Sequence, residues 1–244
     1  MSIRAIFYDL DGTLRLNQPN SRIAFTEYAA ELGLDYSNED CLRAARWEHY
    51  YFAESPEKLE DQKNYQNKES FWTNYEYRQF INFGLAPSLA AELAPKMFTK
   101  MQNGYHPQDM IPSDLPGTLQ TLKHRGFLLG VLSNRENSYS EYLSELGLGD
   151  FFDISISAGE AGFYKPTPEI FRYLLQKANI SAEESVYIGD NYYADVVGSR
   201  NAGLFPVLYD VHGVFDSPDC PVIQQHGQIF SLLKESNLWL GNKN

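Results

Sequence analysis

The stretch "RAIFYDLDGTLRLN", residues 4–17, contains an apolar run that stops on two acids. The run from Ala5 to Tyr8 has the length of a buried strand; Asp9 follows it directly, and Asp11 comes two residues later. One interpretation is a solvated turn, because Asp and Gly are common turn residues. The other is that side chains two apart on extended backbone point the same way, so that both carboxylates share one small volume and need a cation or a shared proton. This stretch alone leaves both interpretations open.

Apolar runs of strand length recur later in the chain, and amphipathic segments of helix length separate most of them. Such alternation is typical of a parallel sheet with helices on both faces. The predicted fold class is therefore α/β, a Rossmann-like three-layer core with a parallel sheet. The predicted strands are 3–8, 127–132, 154–157, 185–188 and 206–209, and the predicted core helices are 114–125, 138–147, 167–178, 192–202 and 226–238.

A long segment without a convincing strand, residues 16–111, lies between the first two predicted strands. Stretches such as "IAFTEYAAEL" and "SFWTNYEYRQFINF" carry helical periodicity. We therefore expect an all-helical domain over 16–111, inserted into a core domain formed by 1–15 and 112–244. The polar segment 55–68 is predicted to be a loop within the insert. Open α/β sheets bind ligands at the carboxyl ends of their strands, which is where such an insert is expected.

The insert is rich in aromatic residues, and two interpretations of them stand side by side. They suit the wall of a site for a ring-bearing substrate, but several fall at helical spacings of three and four, which favours packing in the insert's own core. The residues concerned are Trp47, Tyr50, Tyr51, Phe52, Phe71, Trp72, Tyr75, Tyr77, Phe80 and Phe83.

Composition restricts the partners and the compartment. The chain has 244 residues, 32 acidic and 20 basic, and a formal charge of −12, which argues against nucleic acid or an anionic membrane as the main partner. It leaves room for a small anionic substrate, because a bound metal can reverse the local field. Cys41 and Cys220 form no metal-binding or redox motif, and no apolar stretch reaches bilayer-spanning length. We expect a soluble cytoplasmic protein; its oligomeric state does not follow from the sequence.

Polar residues follow the second strand, at Ser133 and Asn134. A hydroxyl and free backbone N–H groups at the end of an α/β strand form a cradle for an anion. The alternative is an ordinary turn in which Ser and Asn satisfy their own backbone.

Lys165 stands immediately before a predicted helix, in "FYKPTPEIF". Pro166 and Pro168 disfavour helical backbone at Lys165 and Thr167, which makes Thr167 an N-cap and Pro168 the first helical residue. Most lysines are simply exposed. A lysine held on a stiff approach beside other polar strand ends is instead typical of a phosphate or carboxylate partner.

The fourth strand runs into Asp190, and Asp195 follows five residues later. Asp190 is a possible helix cap, but Asp9, Asp11 and Asp190 together offer the hard oxygen ligands that suit Mg²⁺. Without a cation, so many carboxylates at one sheet edge would repel one another strongly.

Four motifs in this order resemble those of the haloacid dehalogenase-like hydrolase superfamily. They are "DLDGTL" at 9–14, "LSN" at 132–134, "KPTPEIF" at 165–171 and "IGDNYYAD" at 188–195. The resemblance covers the whole chain, because the helical insert between the first and second motifs is similar to the C1-type cap domain of that superfamily.

The resemblance implies a phosphatase that acts through an aspartyl-phosphate intermediate on a small phosphate ester. Asp9 matches the nucleophile and Asp11 the general acid/base, a role that requires neighbours to raise its pKa. Lys165 matches the cation that balances the nucleophile and the phosphate.

The resemblance also implies a Mg²⁺ site and a phosphate site. Asp190 matches a metal ligand, beside Asp9 and the backbone carbonyl of Asp11. Asp195 matches an acid that supports the residues around the metal and is not itself assigned as a ligand. Ser133 and Asn134 match the phosphate-binding residues, together with Lys165.

Other members of the superfamily provide alternatives. Dehalogenases lack the second acid, so Asp11 argues against them. Phosphonatases use a cap lysine, and no lysine of the insert stands in a context that marks one: Lys58, Lys63, Lys68, Lys96 and Lys100. A phosphomutase shares every core residue named above and stays an alternative, as does a non-catalytic interaction module on the same fold.

Overall fold

The structure is a computed structural model that describes residues 2–235. The strands are β1 (Ala5–Tyr8), β2 (Leu16–Gln18), β3 (Gln108–Met110), β4 (Leu128–Ser133), β5 (Ile154–Ser157), β6 (Ser185–Gly189), β7 (Phe205–Tyr209) and β8 (Val222–Ile223). The α-helices are α1 (Ser21–Glu31), α2 (Asn38–Phe52), α3 (Pro56–Asn64), α4 (Lys68–Asn82), α5 (Pro87–Gly104), α6 (Leu115–His124), α7 (Ser140–Glu145), α8 (Ala158–Ala161), α9 (Pro168–Ala178), α10 (Gly198–Asn201) and α11 (Ile229–Glu235). A π-helical turn spans Tyr192–Val197, and short 3₁₀ turns span Gly149–Phe151, Ala182–Glu184 and His226–Gln228. Of the predicted last helix, residues 236–238 lie outside the described part.

The main sheet has six parallel strands in the order β5-β4-β1-β6-β7-β8. β1 lies inside the sheet, with Ala5 opposite Leu128 of β4 and Ser185 of β6. Helices separate most of the successive strands, as parallel connections require. The predicted α/β fold class, with its Rossmann-like parallel sheet, is confirmed.

Both faces of the sheet are covered, which explains the unbroken apolar run in β1. Ile6 and Tyr8 belong to the hydrophobic core on one face, whereas Ala5 and Phe7 belong to the core on the other. All of these residues are fully buried. An alternating pattern would have left one face of the strand in water.

Within the described residues, the chain forms two compact units: residues 2–16 with 111–235, here the core unit, and residues 17–110, here the helical unit. The boundaries lie one residue from those predicted. The short strands β2 and β3, at the two points where the chain passes between the units, pair with each other in a separate two-stranded sheet. No helix among residues 2–235 is long and apolar enough to cross a membrane.

The helical unit contains a helix, α3, where the sequence predicts a loop over 55–68. Ser55 caps it by accepting a hydrogen bond from the Lys58 N–H at 3.1 Å, and Pro56 is its first residue. The helix lacks an apolar stripe, because its buried residue is the acid Asp61, which pairs with Arg78 at 2.7 Å. Hydrophobic periodicity therefore could not reveal it.

Many of the insert's aromatic residues pack inside the helical unit itself. The Tyr75 ring centroid lies 5.3–5.6 Å from those of Trp47, Tyr51, Phe52 and Trp72. Tyr51 and Tyr75 are buried, as are Phe80 and Phe83 in the unit's other aromatic cluster. The packing interpretation accounts for these side chains.

Candidate active site

Three polar residues predicted at strand ends come to the same edge of the main sheet. Asp9 follows β1, Ser133 ends β4, and Asp190 follows β6, and these strands are neighbours in the sheet. The backbone N–H of Asp9 donates to the carbonyl of Ile188 at 2.8 Å, which continues the pairing of β1 with β6 up to the acid. Asp9 is therefore held by the sheet rather than by a free loop.

Lys165 is the centre of the predicted site and is only 3% exposed. Its Nζ lies 2.5 Å from Oδ1 of Asp9, 2.6 Å from Oδ1 of Asp195 and 3.1 Å from the Tyr187 hydroxyl. Burial alone would lower the pKa of this amine, but the carboxylates of Asp195 and Asp9 outweigh it and hold the pKa well above its usual value. Lys165 is thus a buried cation between two acids.

Asn134 fixes the backbone of Lys165 from both sides. Its Oδ1 accepts from the Lys165 N–H at 2.7 Å, and its Nδ2 donates to the Lys165 carbonyl at 3.0 Å. Downstream, Thr167 takes the N-cap position of α9, but its hydroxyl donates to the Tyr164 carbonyl instead of capping the helix. The side chain of Asn134, predicted to bind phosphate, is therefore committed to holding the lysine.

The carboxylates of Asp9, Asp190 and Asp195 form one cluster, with ligand oxygens all within 4.8 Å of one another. Burial, opposed by Lys165 and reinforced by Asp195, raises the pKa of Asp9 to about 7. Burial and the charge of Asp9 raise the pKa of Asp190 well above its usual value. Because the cluster holds more negative charge than Lys165 can balance, and all its donors are carboxylate oxygens, it fits a hard divalent cation such as Mg²⁺.

Asp195 uses both of its carboxylate oxygens within the protein. Oδ1 accepts from Lys165, and Oδ2 accepts from the Asn191 N–H at 2.9 Å. Gly189 makes room for it, since a Cβ at that position would lie 2.3 Å from the Asp195 carboxyl carbon. The last residue of β6 must therefore be glycine for Asp195 to lie where it does.

Asp190 is held by the loop that follows Asp9. The Thr13 hydroxyl donates to Oδ1 of Asp190 at 3.1 Å and accepts from the Asp190 N–H at 3.0 Å. Gly12 has φ +94°, and a Cβ there would lie 2.4 Å from the Asp190 carboxylate. The "DG" of the opening stretch is thus the place where the backbone passes close to the carboxylate of Asp190.

Asp11 turns to two arginines. Arg135 binds its carboxylate with two hydrogen bonds of 2.8 Å, and Arg15 lies 2.9 Å from Oδ1. Burial by itself would raise the Asp11 pKa, but the hydrogen bonds and charge of Arg135, with the charge of Arg15, outweigh burial and place the pKa below its usual value. The general acid role assigned to Asp11 from the sequence requires neighbours that raise its pKa. In this structure the neighbouring arginines lower it.

Several side chains of this site were not predicted from the sequence. Arg135 carried a signal, because it directly follows the "LSN" motif, and its backbone N–H donates to the buried Ser133 hydroxyl at 3.3 Å. Thr13 lies inside "DLDGTL" and carried a signal as well. Tyr187 carried no such signal, because an aromatic residue in a strand is typical of the hydrophobic core. Its ring does pack in the core, beside Phe171.

Together, the parallel sheet and the buried carboxylates at its edge define an α/β protein whose site is built around an acid paired with a lysine. A family model described as haloacid dehalogenase-like hydrolase matches residues 3–203. The chain belongs to the haloacid dehalogenase-like hydrolase family.

Named relatives and solved structures agree with this assignment. A glyceraldehyde 3-phosphate phosphatase of Methanothermobacter thermautotrophicus is 38% identical over 92 residues, a match that spans 37% of this chain and only 41% of that protein. The protein of the same name from Pyrococcus furiosus is 28% identical over 212 residues, with 85% of this chain and 80% of that one covered. The crystal structure of a HAD phosphatase from Thermococcus onnurineus superposes with a TM-score of 0.56 at 20% identity, over 95% of this chain and 98% of that one, which shows the shared fold.

Proposed function

We propose that this protein is a Mg²⁺-dependent phosphatase that hydrolyses a small phosphorylated metabolite through an aspartyl-phosphate on Asp9. The observation that carries the proposal is the ammonium group of Lys165, 2.5 Å from the Asp9 carboxylate inside a buried cluster of acids. Phosphoryl transfer needs neutralised charge and fixed positions more than unusual bond chemistry. The family of the chain and the phosphatase names of its relatives support the same activity.

The carboxylates of Asp9 and Asp190, with the backbone carbonyl of Asp11, would hold the metal ion. When bound, Mg²⁺ supplies positive charge that offsets the repulsion between a carboxylate nucleophile and a phosphate dianion. Asp195 is assigned a supporting role, because its oxygens already accept from Lys165 and from the backbone N–H of Asn191.

In the first step, a carboxylate oxygen of Asp9 attacks phosphorus, and the bond between phosphorus and the ester oxygen breaks. Lys165 balances the charge of Asp9 and of the phosphoryl group, while the Ser133 hydroxyl and the backbone N–H groups after it bind phosphoryl oxygens. The departing oxygen takes a proton from Asp11, which must first acquire one, because Arg135 and Arg15 favour its ionised form.

In the second step, water attacks the phosphorus of the aspartyl-phosphate and gives a proton to Asp11. The bond between phosphorus and the Asp9 oxygen breaks, phosphate leaves, and the Asp9 carboxylate is restored. The ionised state of Asp11 suits it to this half of the reaction as it stands.

The substrate class is a small phosphate ester such as a triose phosphate, in keeping with the relatives named glyceraldehyde 3-phosphate phosphatases. The helical unit follows β1 in the chain, where C1-type caps are inserted, and we assign it the role of a cap that selects the substrate. A small-molecule partner agrees with the net charge of −12, which disfavours nucleic acid.

The test measures phosphate release from glyceraldehyde 3-phosphate, other sugar phosphates, nucleotides and small phospho-acids. Each reaction is run with Mg²⁺ and again with excess EDTA. We expect at least one substrate to be hydrolysed with Mg²⁺ and not with EDTA. Products are also resolved by ³¹P NMR, because a phosphomutase would move the phosphate to another position of the substrate instead of releasing it.

Asp9→Asn is the decisive variant, and Asp216→Asn, at an exposed aspartate, is its matched control. We expect Asp9→Asn to fold and to lose all measurable turnover, and Asp216→Asn to match the wild type. Substantial hydrolysis by Asp9→Asn, or equal activity in EDTA, contradicts the proposal.

A further inference from the structure

His226 lies far from Asp9 in sequence but contacts the loop that follows it. It begins the 3₁₀ turn before α11 and is fully buried. Its Nε2 lies 3.2 Å from the backbone carbonyl of Thr13. Because a carbonyl oxygen only accepts, this hydrogen bond requires the ring proton to be on Nε2.

The other ring nitrogen is buried without a hydrogen-bond partner in the described part of the chain. The ring stacks on Tyr209, with 4.3 Å between centroids, and lies at an angle to Tyr8, 5.9 Å away. Burying an acceptor without a hydrogen-bond partner is unfavourable. A phenylalanine would fill the same aromatic stack without burying such an acceptor. What histidine alone provides at this position is the Nε2–H bond to Thr13.

Thr13 connects that bond to the site. It is fully buried, and its hydroxyl makes two hydrogen bonds with Asp190, one to the carboxylate and one from the backbone N–H. Its carbonyl therefore anchors on His226 while its side chain holds Asp190. The residue before it, Gly12, also lies against Asp190, so close to the carboxylate that no side chain would fit there.

We propose that His226 is a positioning residue: by fixing the carbonyl of Thr13, it sets the orientation of the Asp190 carboxylate toward the divalent cation. The inference rests on the proposed function, in which Asp190 is a ligand of Mg²⁺. Groups that orient metal ligands typically change metal affinity by about ten- to a hundredfold when removed. His226 acts through one further residue, so its effect belongs at the lower end.

The test is the Mg²⁺ dissociation constant, measured by titration calorimetry on the purified protein without substrate. His226→Phe keeps the ring and removes the donor, and we expect it to raise the constant about tenfold. His226→Gln places an amide donor near the position of Nε2, and we expect it to restore the constant to within about twofold of wild type. Tyr209→Phe, which changes the ring stacked on His226 and leaves the His226 bond to Thr13 in place, is the matched control and should bind as wild type does.

A double-mutant cycle tests the route through Thr13. Thr13→Val removes the hydroxyl at nearly constant volume, and we expect it to weaken Mg²⁺ binding more than His226→Phe does. If His226 acts through Thr13, adding His226→Phe to Thr13→Val should change the constant by less than about twofold. A full further tenfold loss would mean that His226 acts by another route, and the inference would fail.

Melting curves in EDTA accompany each titration. If His226→Phe does not fold, His226→Met, a flexible side chain without a donor, takes its place in both experiments. Unchanged Mg²⁺ binding in the folded donor-free variant overturns the inference alone. Absence of Mg²⁺ binding in the wild type overturns the inference and the metal part of the proposed function together.

Discussion

Lys165 carries a buried positive charge that balances the surrounding carboxylates and that water does not stabilise. Its ammonium group is buried and bridges Asp9 and Asp195, with Asp190 in the same cluster. Removing one partner from a buried ionic cluster leaves uncompensated charge, which is far more costly than breaking a surface pair. The residue is therefore tied to stability as well as to the proposed chemistry.

Lys165→Met should lower both activity and stability. We expect turnover to fall more than about a hundredfold, because a preorganised charge is lost from the site. The free energy of unfolding in EDTA at pH 8 should fall by about 3 kcal/mol. The loss should be smaller at pH 5, because the carboxyl group of Asp9, with its raised pKa, is then protonated. Urea unfolding of wild type and variant at both pH values measures the two losses of unfolding free energy.

The control for that variant is Lys123→Met. Lys123 pairs with Asp153 at 3.2 Å on the surface, and losing such a pair costs less than about 1 kcal/mol. Equal destabilisation by the two variants would show that the buried cluster does not depend on Lys165 for its charge balance.

Asp11→Asn should separate the two halves of the reaction. p-Nitrophenolate leaves readily without a proton, so with p-nitrophenyl phosphate the variant should still form the aspartyl-phosphate while hydrolysing it slowly. General base help is worth about a hundred- to ten-thousandfold, enough to make breakdown limiting. Rapid mixing should therefore show a burst of p-nitrophenol near one equivalent of enzyme. Turnover at the wild-type rate without a burst would exclude Asp11 as the acid/base.

At the scale of elements, the end of β6 depends on a residue without a side chain. Gly189→Ala would place a Cβ 2.3 Å from the Asp195 carboxyl carbon, so Asp195 or the strand must move. Forced overpacking costs about 1–3 kcal/mol, and we expect a drop in unfolding free energy of that size. Activity should fall at least about tenfold, because Lys165 loses the position of one of its two acids. Thermal melts and phosphate release measure both.

Gly117→Ala is the matched control. Gly117 is an exposed residue of α6 with nothing within 4 Å of a Cβ, so alanine should stabilise the helix by about 0.5–1 kcal/mol and leave activity unchanged. An active, stable Gly189→Ala protein would show that Asp195 does not need its observed position.

Elements with strong apolar patterning could be predicted, and those without it could not. The five predicted strands of the core match β1, β4, β5, β6 and β7 within two residues at either end. The strands β2, β3 and β8 were missed because each has only two or three residues, too few to show a period. The helix α3 was missed because its interior contact is an ion pair.

The site shows the same division. Parallel topology brings together residues at strand ends, so the convergence of Asp9, Ser133 and Asp190 followed from the pattern alone. The direction of a side chain within the site did not follow. Asp11 turns to Arg135, 124 positions away in the chain, and no local signal reports such a contact.

At the scale of the whole molecule, stability should depend on pH through Glu76 in the helical unit. Glu76 is 4% exposed, and burial, with the charge of Glu48, raises its pKa to about 8. Since the folded pKa lies above the unfolded one, this carboxyl favours folding at low pH and loses that contribution as pH rises from about 4.5 to 8. Glu76→Gln, neutral throughout, should therefore be more stable than wild type at pH 8, by on the order of 4 kcal/mol at most.

Denaturation followed by tryptophan fluorescence suits this test, because Trp47 and Trp72 both lie in the helical unit. The curves of wild type and Glu76→Gln should converge near pH 4.5. Glu69→Gln, at an exposed position of the same helix, should follow wild type across the range. A constant difference between Glu76→Gln and wild type from pH 4.5 to 8 would refute the assignment.

The place of β1 in the sheet has a consequence for synthesis on the ribosome. β1 is an interior strand, but residues 9–127 separate it from its neighbour β4, and β6 comes later still. At roughly 5–20 residues per second, this apolar strand waits several seconds or more for either partner. The helical unit is a continuous segment that is complete before β4 is made. Nascent chains of this protein should therefore pass through a stage in which the insert is able to fold while β1 still exposes both edges, and chaperones that bind extended apolar segments should act in that interval.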